Sequence, residues 1–270
     1  MRTVVHLSDL HFGRVDPRLL APLARRAREA APHVVVVSGD LTQRAKSAQF
    51  RDARRFLDTL PQPVLVVPGN HDVPLYNLWQ RFLQPLAKYR RYISEEVEPA
   101  FVDDEIAVIG VSTARSAVFK GGRINSAQIA RVRERLAGVG EGVIKLVVTH
   151  HPFDLPPGHE PRAIVGRARL AMQAFAACGA DILLAGHLHT SHVGDTTARY
   201  AIERFAALVV QAGTATSIRA RGEVNSFNVL HIAGCRVRVE RYGWDGADFA
   251  LAGGDTFERT TEGWRRKVAA

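Results

Sequence analysis

Short apolar runs rich in β-branched residues alternate with amphipathic stretches along the first two-thirds of the chain. The runs predict strands at residues 4–7, 34–37, 64–67, 106–111, 144–148 and 182–184. The stretches between them predict three helices: one with Asp16 as N-cap and Pro17 as first residue, one capped by Ser47 and one capped by Ser126. This alternation predicts a mostly parallel sheet covered by helices.

The pattern changes after Phe205, where three strand-like runs follow one another: ALVVQAG, SFNVLHI and CRVRVERY. We predict that this end of the chain forms a second sheet packed on the first. Residues 246–270 are more polar and predict a C-terminal tail, which leaves residues 1–245 as one domain. The chain of 270 residues, 46% of them hydrophobic, is long enough to bury one large core.

Composition narrows the setting without deciding the function. No apolar run approaches the roughly 18 residues that span a bilayer, and no basic leader precedes an apolar segment. Cys178 and Cys235 lack the spacing of metal or redox pairs, so we predict a cytoplasmic protein with buried, reduced thiols. The net charge of +9 is compatible with an anionic substrate, a nucleic acid or an acidic membrane surface.

Side chains that can bind metal follow five of the predicted strands, at the point where each strand ends. They are Asp9 and His11 after the first strand, Asp40 after the second, Asn70, His71 and Asp72 after the third, His150 and His151 after IKLVVT, and His187 and His189 after DILLAG. Ligands of open α/β sheets bind outside the carboxyl ends of the strands, so we expect these side chains to form one site.

The residue types in these motifs favour two borderline divalent ions such as Mn, Fe, Co or Zn. The motifs contain no cysteine, which argues against structural zinc, and their histidines argue against calcium, which prefers oxygen ligands. So many carboxylates and imidazoles are too many for one ion. Two ions need a carboxylate that reaches both. Together they lower the pKa of a bridging water towards about 7 and clamp an in-line phosphoryl displacement.

The same motifs resemble a known protein family. Read in order, DLH, GD, GNHD, HHP and GHLH are similar to the signature of the calcineurin-like metallophosphoesterases, and they span residues 9–189. The resemblance implies an α/β fold, a four-layer αββα sandwich with two mixed β-sheets, with a dinuclear metal site at the carboxyl ends of the strands.

The resemblance also implies a role for each motif residue. One ion would be held by Asp9, His11 and His189, the other by Asn70, His150 and His187, and both by Asp40. His71 would contact the substrate phosphate or protonate the leaving group, and Asp72 would orient His71. In the family the ligand commonly lies two residues before the proline of HHP, which selects His150. His151 would then support the site, face the substrate or lie exposed.

The motifs encode the substrate less clearly than the metals. SDLHFG, GDLTQRA and PGNHD resemble the bacterial class III branch, which acts on cyclic nucleotides and glycerophosphodiesters. The resemblance implies a phosphodiesterase that hydrolyses a cyclic nucleotide or a similar diester by attack of a metal-bound hydroxide.

Three alternatives stay open. One is a pyrophosphohydrolase of a nucleotide-linked lipid precursor such as UDP-diacylglucosamine, although relatives with that activity usually carry Arg where His71 stands. Another is a nuclease, which only the net charge supports. The third is a metal-free scaffold of the same fold, against which the complete ligand set argues. The enzymatic hypotheses predict a substrate that is nucleotide-like or amphiphilic. A homodimer is compatible with every one of these hypotheses.

The segment from residue 76 to 93 interleaves aromatic and basic residues directly after GNHD. It predicts either a pair of core-packing helices or a cap beside the metals that stacks a base or accepts a lipid. Tyr76 is our candidate for an aromatic contact with the substrate. Arg115, in STARS, is the candidate for a phosphate contact, with a salt bridge inside its own loop as the alternative.

Overall fold

Two mixed β-sheets lie face to face at the centre of the computed structural model, which describes residues 1–117, 121–156, 158–218 and 222–267. The strands are β1 (Arg2–Leu7), β2 (Val34–Val37), β3 (Val64–Val66), β4 (Ala100–Val102), β5 (Ile106–Gly110), β6 (Ile144–Val148), β7 (Ile182–Ala185), β8 (His192–Asp195), β9 (Leu208–Gln211), β10 (Ser226–Ala233), β11 (Arg236–Trp244), β12 (Phe249–Thr260) and β13 (Gly263–Arg266). The first sheet has the order β13-β12-β11-β10-β1-β2-β3, and the second has the order β4-β5-β6-β7-β9-β8.

Each sheet has a parallel half that carries the metal-binding motifs. Strands β1, β2 and β3 are parallel in the first sheet, and β5, β6, β7 and β9 are parallel in the second. Antiparallel strands complete both sheets: β10 to β13 extend the first, while β4 and β8 form the edges of the second. The carboxyl ends of β1 to β3 and of β6 and β7 therefore meet at one end of the sandwich.

Helices cover the outer faces of both sheets. They are α1 (Pro17–Glu29), α2 (Ser47–Leu57), α3 (Leu78–Leu83), α4 (Ala87–Tyr92), α5 (Ser126–Ala137) and α6 (Ala168–Ala177). Helices α1 and α2 pack on the first sheet, and α5 and α6 pack on the second. The predicted αββα sandwich with two mixed sheets is confirmed. Among the described residues, no helix is long and apolar enough to cross a membrane.

The buried strand β2 shows how the layers form. Val35 and Val37 pack against the helices, whereas Val34 and Val36 pack between the two sheets. Successive side chains of a strand point to opposite faces, so a strand that is covered on both faces must be apolar throughout.

The helix starts lie close to the predicted ones. Asp16 caps α1, where its carboxylate accepts a hydrogen bond from the Arg18 backbone N–H at 3.0 Å. The predicted caps Ser47 and Ser126 are instead the first residues of their helices. Helix α5 is capped by Asn125, whose side chain accepts from the Gln128 N–H at 2.8 Å.

The prediction for the C-terminal part was wrong in two respects. Strands β10 to β13 extend the first sheet and do not form a separate one. Residues 249–266, expected in a tail, form β12 and β13, because Phe249, Phe257 and Trp264 are buried while the intervening polar residues face outward. The predicted boundary after residue 245 thus falls inside a sheet, and residues 268–270 of the predicted tail lie outside the described residues. Cys235, expected to be buried, is exposed.

Candidate metal centre

The first group of candidate ligands joins β1 of one sheet to the loop after β7 of the other. The Asp9 Oδ1 atom lies 3.4 Å from His11 Nε2 and 3.3 Å from His189 Nε2. The two Nε2 atoms are themselves 3.3 Å apart. All three side chains are buried, and their ligand atoms are close enough together to hold one ion.

The second group surrounds Asp40. His150 Nε2 lies 3.4 Å from Asp40 Oδ2 and 3.2 Å from Asn70 Oδ1. His187 lies beside this group, with its ring centroid 5.2 Å from that of His150. The same Asp40 Oδ2 atom lies 3.7 Å from His11 Nε2, in the first group. One carboxylate oxygen therefore faces both groups, which is the position required of a bridging ligand.

Strained backbone conformations hold five of these residues. The φ angles of Asp9, His11, Asp40, His187 and His189 lie between 50° and 73°, in the left-handed region. Non-glycine residues adopt this region infrequently and at a cost, and such strain concentrates at functional sites. Each of these residues directly ends a strand or lies in the turn that follows it. The positive φ turns the chain sharply there, where the side chains meet.

Two motif glycines make room for the cluster. A Cβ atom on Gly69 would lie 2.1 Å from the Asp40 carboxylate, and one on Gly39 would lie 2.7 Å from the His150 ring. Gly39 also has a φ of 94°. The glycines of GD and GNHD are therefore required by the close approach of the loops to the candidate ligands.

Hydrogen bonds from surrounding residues fix the orientation of these ligands. Ser38 O lies 2.8 Å from His150 Nδ1, and Thr214 Oγ1 lies 2.9 Å from His189 Nδ1, which leaves both Nε2 atoms facing the carboxylates. Ser8 Oγ donates to Asp9 Oδ2 at 2.7 Å. Such contacts typically fix the tautomer of a metal-binding histidine. None of these three residues was predicted from the sequence. Ser8 and Ser38 directly precede the motifs, whereas Thr214 has no sequence signal.

The surrounding histidines lower the pKa values of the buried Asp9 and Asp40 carboxylates, which favours their ionised forms. Burial acts to raise the pKa of Asp9, but the neighbouring His189 and His11 outweigh it and hold the pKa well below its usual range. His150 and His11 likewise outweigh burial at Asp40 and lower its pKa. Burial would lower the pKa of His150, but Asp40 raises it to about 9. The centre therefore attracts cations, and a metal must displace a proton from His150.

The residues present fit divalent metal ions. Asp9 Oδ1 is buried and has no hydrogen-bond partner among the described residues, although two imidazole nitrogens face it. A shared cation accounts for this arrangement, since an unpaired buried carboxylate oxygen is otherwise costly. The donor set of carboxylate oxygens, an amide oxygen and imidazole nitrogens suits borderline divalent ions. The two groups and the carboxylate between them provide places for two.

His71 lies at the rim of this centre. Its side chain is 21% exposed, and its Nε2 atom lies 4.0 Å from Asp40 Oδ2. Its Nδ1 atom lies 3.0 Å from the Gln43 carbonyl oxygen and 3.4 Å from the Arg44 guanidinium. The ring is therefore held by the loop after β2, with Nε2 on the side of the metal centre.

The Asp72 carboxylate is held by the backbone of two neighbouring loops. Its carboxylate accepts hydrogen bonds from the backbone N–H groups of Leu41, Thr42 and Gly69 at 2.9–3.1 Å, and from the Thr42 hydroxyl at 3.0 Å. These contacts tie the loop after β3 to the loop that carries Asp40. Burial and the nearby Asp40 charge raise the pKa of Asp72 to about 6. These hydrogen bonds place Asp72 as a brace between two ligand loops, and its expected role in orienting His71 stays a prediction.

The two candidate substrate contacts differ in position. Arg115 donates to Gln128 Oε1 and to the Ala114 carbonyl oxygen at 3.1 Å, so it makes a contact within its own region, towards α5. Tyr76 is 78% exposed, and the Arg44 guanidinium lies 6.0 Å from its ring centroid. Because Arg44 also contacts His71, the phenol ring of Tyr76 lies beside the rim of the metal centre.

His151 is buried, so the alternative of an exposed residue is excluded. Its Nδ1 atom lies 2.8 Å from Thr113 Oγ1, and its ring centroid lies 4.5 Å from that of His187. Its ligand atoms are also close enough to those of His150 and His187 to share an ion. Proximity alone therefore does not separate the two adjacent histidines.

We expect His150, and not His151, to be required for metal retention. The His150 Nε2 atom faces both Asp40 and Asn70, so His150→Ala should empty the second position of the centre. His151→Ala should leave metal content largely intact. Elemental analysis after loading with manganese measures both, with His33→Ala as a control at the opposite end of β2. Loss of metal from His151→Ala alone would reverse the assignment.

This combination of fold and site defines a class of protein. A sandwich of two mixed sheets, with a carboxylate between two buried histidine groups at the strand ends, is the framework of a dimetal phosphoesterase. Residues 2–191 match the family of calcineurin-like phosphoesterases, and the chain belongs to that family.

Individual relatives are more distant. The chain is 25% identical over 195 residues to the uncharacterized protein YpbG of Bacillus subtilis (strain 168), with 71% of this chain and 62% of YpbG covered. It is 24% identical over 197 residues to the glycerophosphodiester phosphodiesterase GpdQ of Enterobacter lignolyticus (strain SCF1), with 65% of this chain and 69% of that protein covered. A dimetal phosphatase from Danio rerio has the same fold, with a TM-score of 0.62, 14% identity and coverage of 93% and 98% of the two chains.

Proposed function

We propose that this chain is a phosphoester hydrolase that uses two divalent ions and prefers phosphodiesters. The observation that carries the proposal is the position of Asp40, whose Oδ2 atom faces His11 of one ligand group and His150 of the other. Family membership and the similarity to GpdQ support it. Manganese, iron and zinc all suit the donor set.

Asp9, His11 and His189 would hold one ion, and Asn70, His150 and His187 the other, with Asp40 between them. When bound, the ions supply Lewis-acid activation of a water and neutralise charge on the phosphoryl oxygens. Ser8, Ser38 and Thr214 keep the ligands in place, so that substrate binding needs no rearrangement of these side chains.

His71 would act on the substrate and not on the metals. Its Nδ1–H donates to the Gln43 carbonyl, so the protonated ring presents Nε2–H on the side of the metal centre. From there it can donate to a phosphoryl oxygen or transfer its proton to the departing oxygen.

We expect a phosphodiester to be a better substrate than a monoester. A monoester dianion carries additional charge that extra Arg or Lys donors would have to match. Of the two arginines near the motifs, only Arg44 contacts His71, since Arg115 is directed towards Gln128. A diester carries less charge and a second organic arm, for which the exposed Tyr76 ring offers a wall.

The test compares bis(p-nitrophenyl) phosphate with p-nitrophenyl phosphate on the manganese-loaded protein. The diester should have the higher kcat/KM. Tyr76→Ala should lower kcat/KM for the diester by about 2- to 10-fold, because one aromatic contact contributes about 0.5–1.5 kcal/mol of binding free energy. The same change should lower kcat/KM for the monoester less. Tyr76→Phe, which keeps the ring, is the matched control. Equal or faster monoester turnover would contradict the substrate class and leave the metal proposal intact.

A substrate panel separates the remaining alternatives. Cyclic nucleotides, glycerophosphodiesters, oligonucleotides and a UDP-linked lipid pyrophosphate should be compared on the same preparation. The strongly exposed apolar residues next to Tyr76, in α3, favour the lipid pyrophosphate as the second candidate. Turnover of none of these by metal-loaded protein would support the scaffold.

A further inference from the structure

Helix α3 buries its arginine side chain and exposes its apolar side chains, the opposite of the usual arrangement. Arg81 is 1% exposed, and its guanidinium donates to the Ser116 carbonyl at 2.7 Å and to the Pro74 carbonyl at 2.9 Å. The apolar residues of and before the helix face outward, with 78% of Tyr76, 56% of Leu78, 78% of Trp79, 56% of Phe82 and 60% of Leu83 exposed. We call these five residues the α3 face. A short helix that buries its arginine and exposes Trp, Phe and Leu presents an interaction surface.

Basic residues lie at both ends of the α3 face. The Arg44 guanidinium stacks over Tyr76 at one end. At the other end, Arg90 and Arg91 are exposed and line the same groove as Leu83. Glu95 also lines that groove, and its carboxylate lies 4.0 Å from the Arg90 guanidinium, so it offsets part of the charge there while Arg44 and Arg91 keep theirs. The surface is therefore apolar at its centre and positively charged at its margins.

We propose that the α3 face docks the protein onto a lipid bilayer that carries anionic headgroups. Trp and Tyr favour the interface between headgroups and hydrocarbon, and Leu and Phe bury their side chains below it. The marginal arginines would pair with lipid phosphates, and the net charge of +9 adds attraction over a longer distance.

Charge distinguishes this partner from a second copy of the chain. A two-fold interface brings the same surface of each copy together. On this face it would bring Arg44, Arg90 and Arg91 of both copies together, with Glu95 of each groove as the acidic side chain against three arginines, which disfavours association. An anionic bilayer complements the same residues.

Docking in this way would turn the metal centre towards the headgroups. Arg44 contacts Tyr76 of the α3 face and His71 at the rim of the centre. A single residue therefore separates the docking surface from the place where the phosphate ester would bind.

Vesicle co-sedimentation of the full chain tests this proposal. Vesicles of phosphatidylcholine mixed with phosphatidylglycerol should bind the protein, more weakly as salt is raised, and pure phosphatidylcholine should bind it less. Phe82→Ser/Leu83→Ser should weaken binding by roughly tenfold or more, because two inserted side chains are lost. Arg90→Gln/Arg91→Gln should weaken it by roughly tenfold on anionic vesicles only. Brominated lipids should quench Trp79, whereas Trp264 is buried.

The matched control is Leu170→Ser/Leu251→Ser, two leucines exposed by 48% and 54% on other elements, which should bind as the unmodified chain does. Equal loss in that control, or no binding to any vesicle, would overturn the proposal. So would a dimer, seen by light scattering, that Phe82→Ser/Leu83→Ser dissociates in the absence of vesicle binding. The assay needs no turnover, and hydrolysis of the soluble diester by Phe82→Ser/Leu83→Ser should be unchanged.

Discussion

Asp40→Asn is expected to remove the paired metal ions and the activity together. The Asp40 Oδ2 atom faces His11 of one ligand group and His150 of the other. Asparagine keeps the shape of the side chain and can still accept the hydrogen bond from the His71 backbone N–H. It removes the negative charge that offsets the repulsion between two ions. The lost Lewis-acid assistance is worth several kcal/mol, so turnover should fall by at least about 10³-fold.

Elemental analysis after metal loading measures the first effect, and diester hydrolysis measures the second. The unmodified chain should approach two equivalents of metal, and Asp40→Asn should hold one or none. Asp154→Asn, which alters a buried carboxylate paired with Arg199 outside the ligand groups, is the control for loss of a buried acid. One tightly bound ion in a fully active unmodified chain would end the dinuclear proposal.

The sequence predicted those features of the fold and site that depend on residues close together in the chain. An apolar run followed at once by Asp or His predicts both the strand and the position of the side chain at its carboxyl end. For this reason Asp9, Asp40 and His150 lie together in the structure, as expected from spacing alone. The glycines of GD and GNHD belong to the same signal, since Gly69 and Gly39 have no space for a side chain.

Sheet membership was predicted less well because it depends on distant pairing. Strand β1 lies between β2, which follows it closely, and β10, which comes more than two hundred residues later. Nothing in the run SFNVLHI indicates that its partner is the first strand of the chain. The many polar positions of β12 and β13 suggested a tail, because Phe249, Phe257 and Trp264 are the three residues that mark the buried face of these two strands.

Features of the site that involve the backbone or single distant side chains were also invisible in the sequence. The group that holds the His71 ring is the carbonyl of Gln43, and every residue has a carbonyl. Thr214 supports His189 from a loop that carries no motif. Asp and His adopt left-handed φ angles more readily than most residues, but the sequence did not indicate that Asp9 and His11 would do so.

His71→Ala is expected to separate chemistry from metal binding. His71 is 21% exposed at the rim, and its ring contacts Gln43 O, so its removal should leave both metal ions in place. Turnover of a diester with an alkoxide leaving group should fall by about 10²–10⁴-fold, the usual contribution of a positioned acid or base. The deficit should be smaller for a nitrophenolate leaving group, which departs without a proton.

The comparison of leaving groups assigns the role, because a residue that only binds phosphate would slow both substrates equally. Metal content and kcat/KM should therefore be measured on the same preparations of His71→Ala and of the unmodified chain. Arg44→Ala is the matched control, since it removes the neighbouring cation and leaves the imidazole. It should lower kcat/KM for both substrates by a similar factor. An equal deficit of His71→Ala on both substrates would make His71 a phosphate-binding residue, and loss of metal from it would place His71 among the ligands.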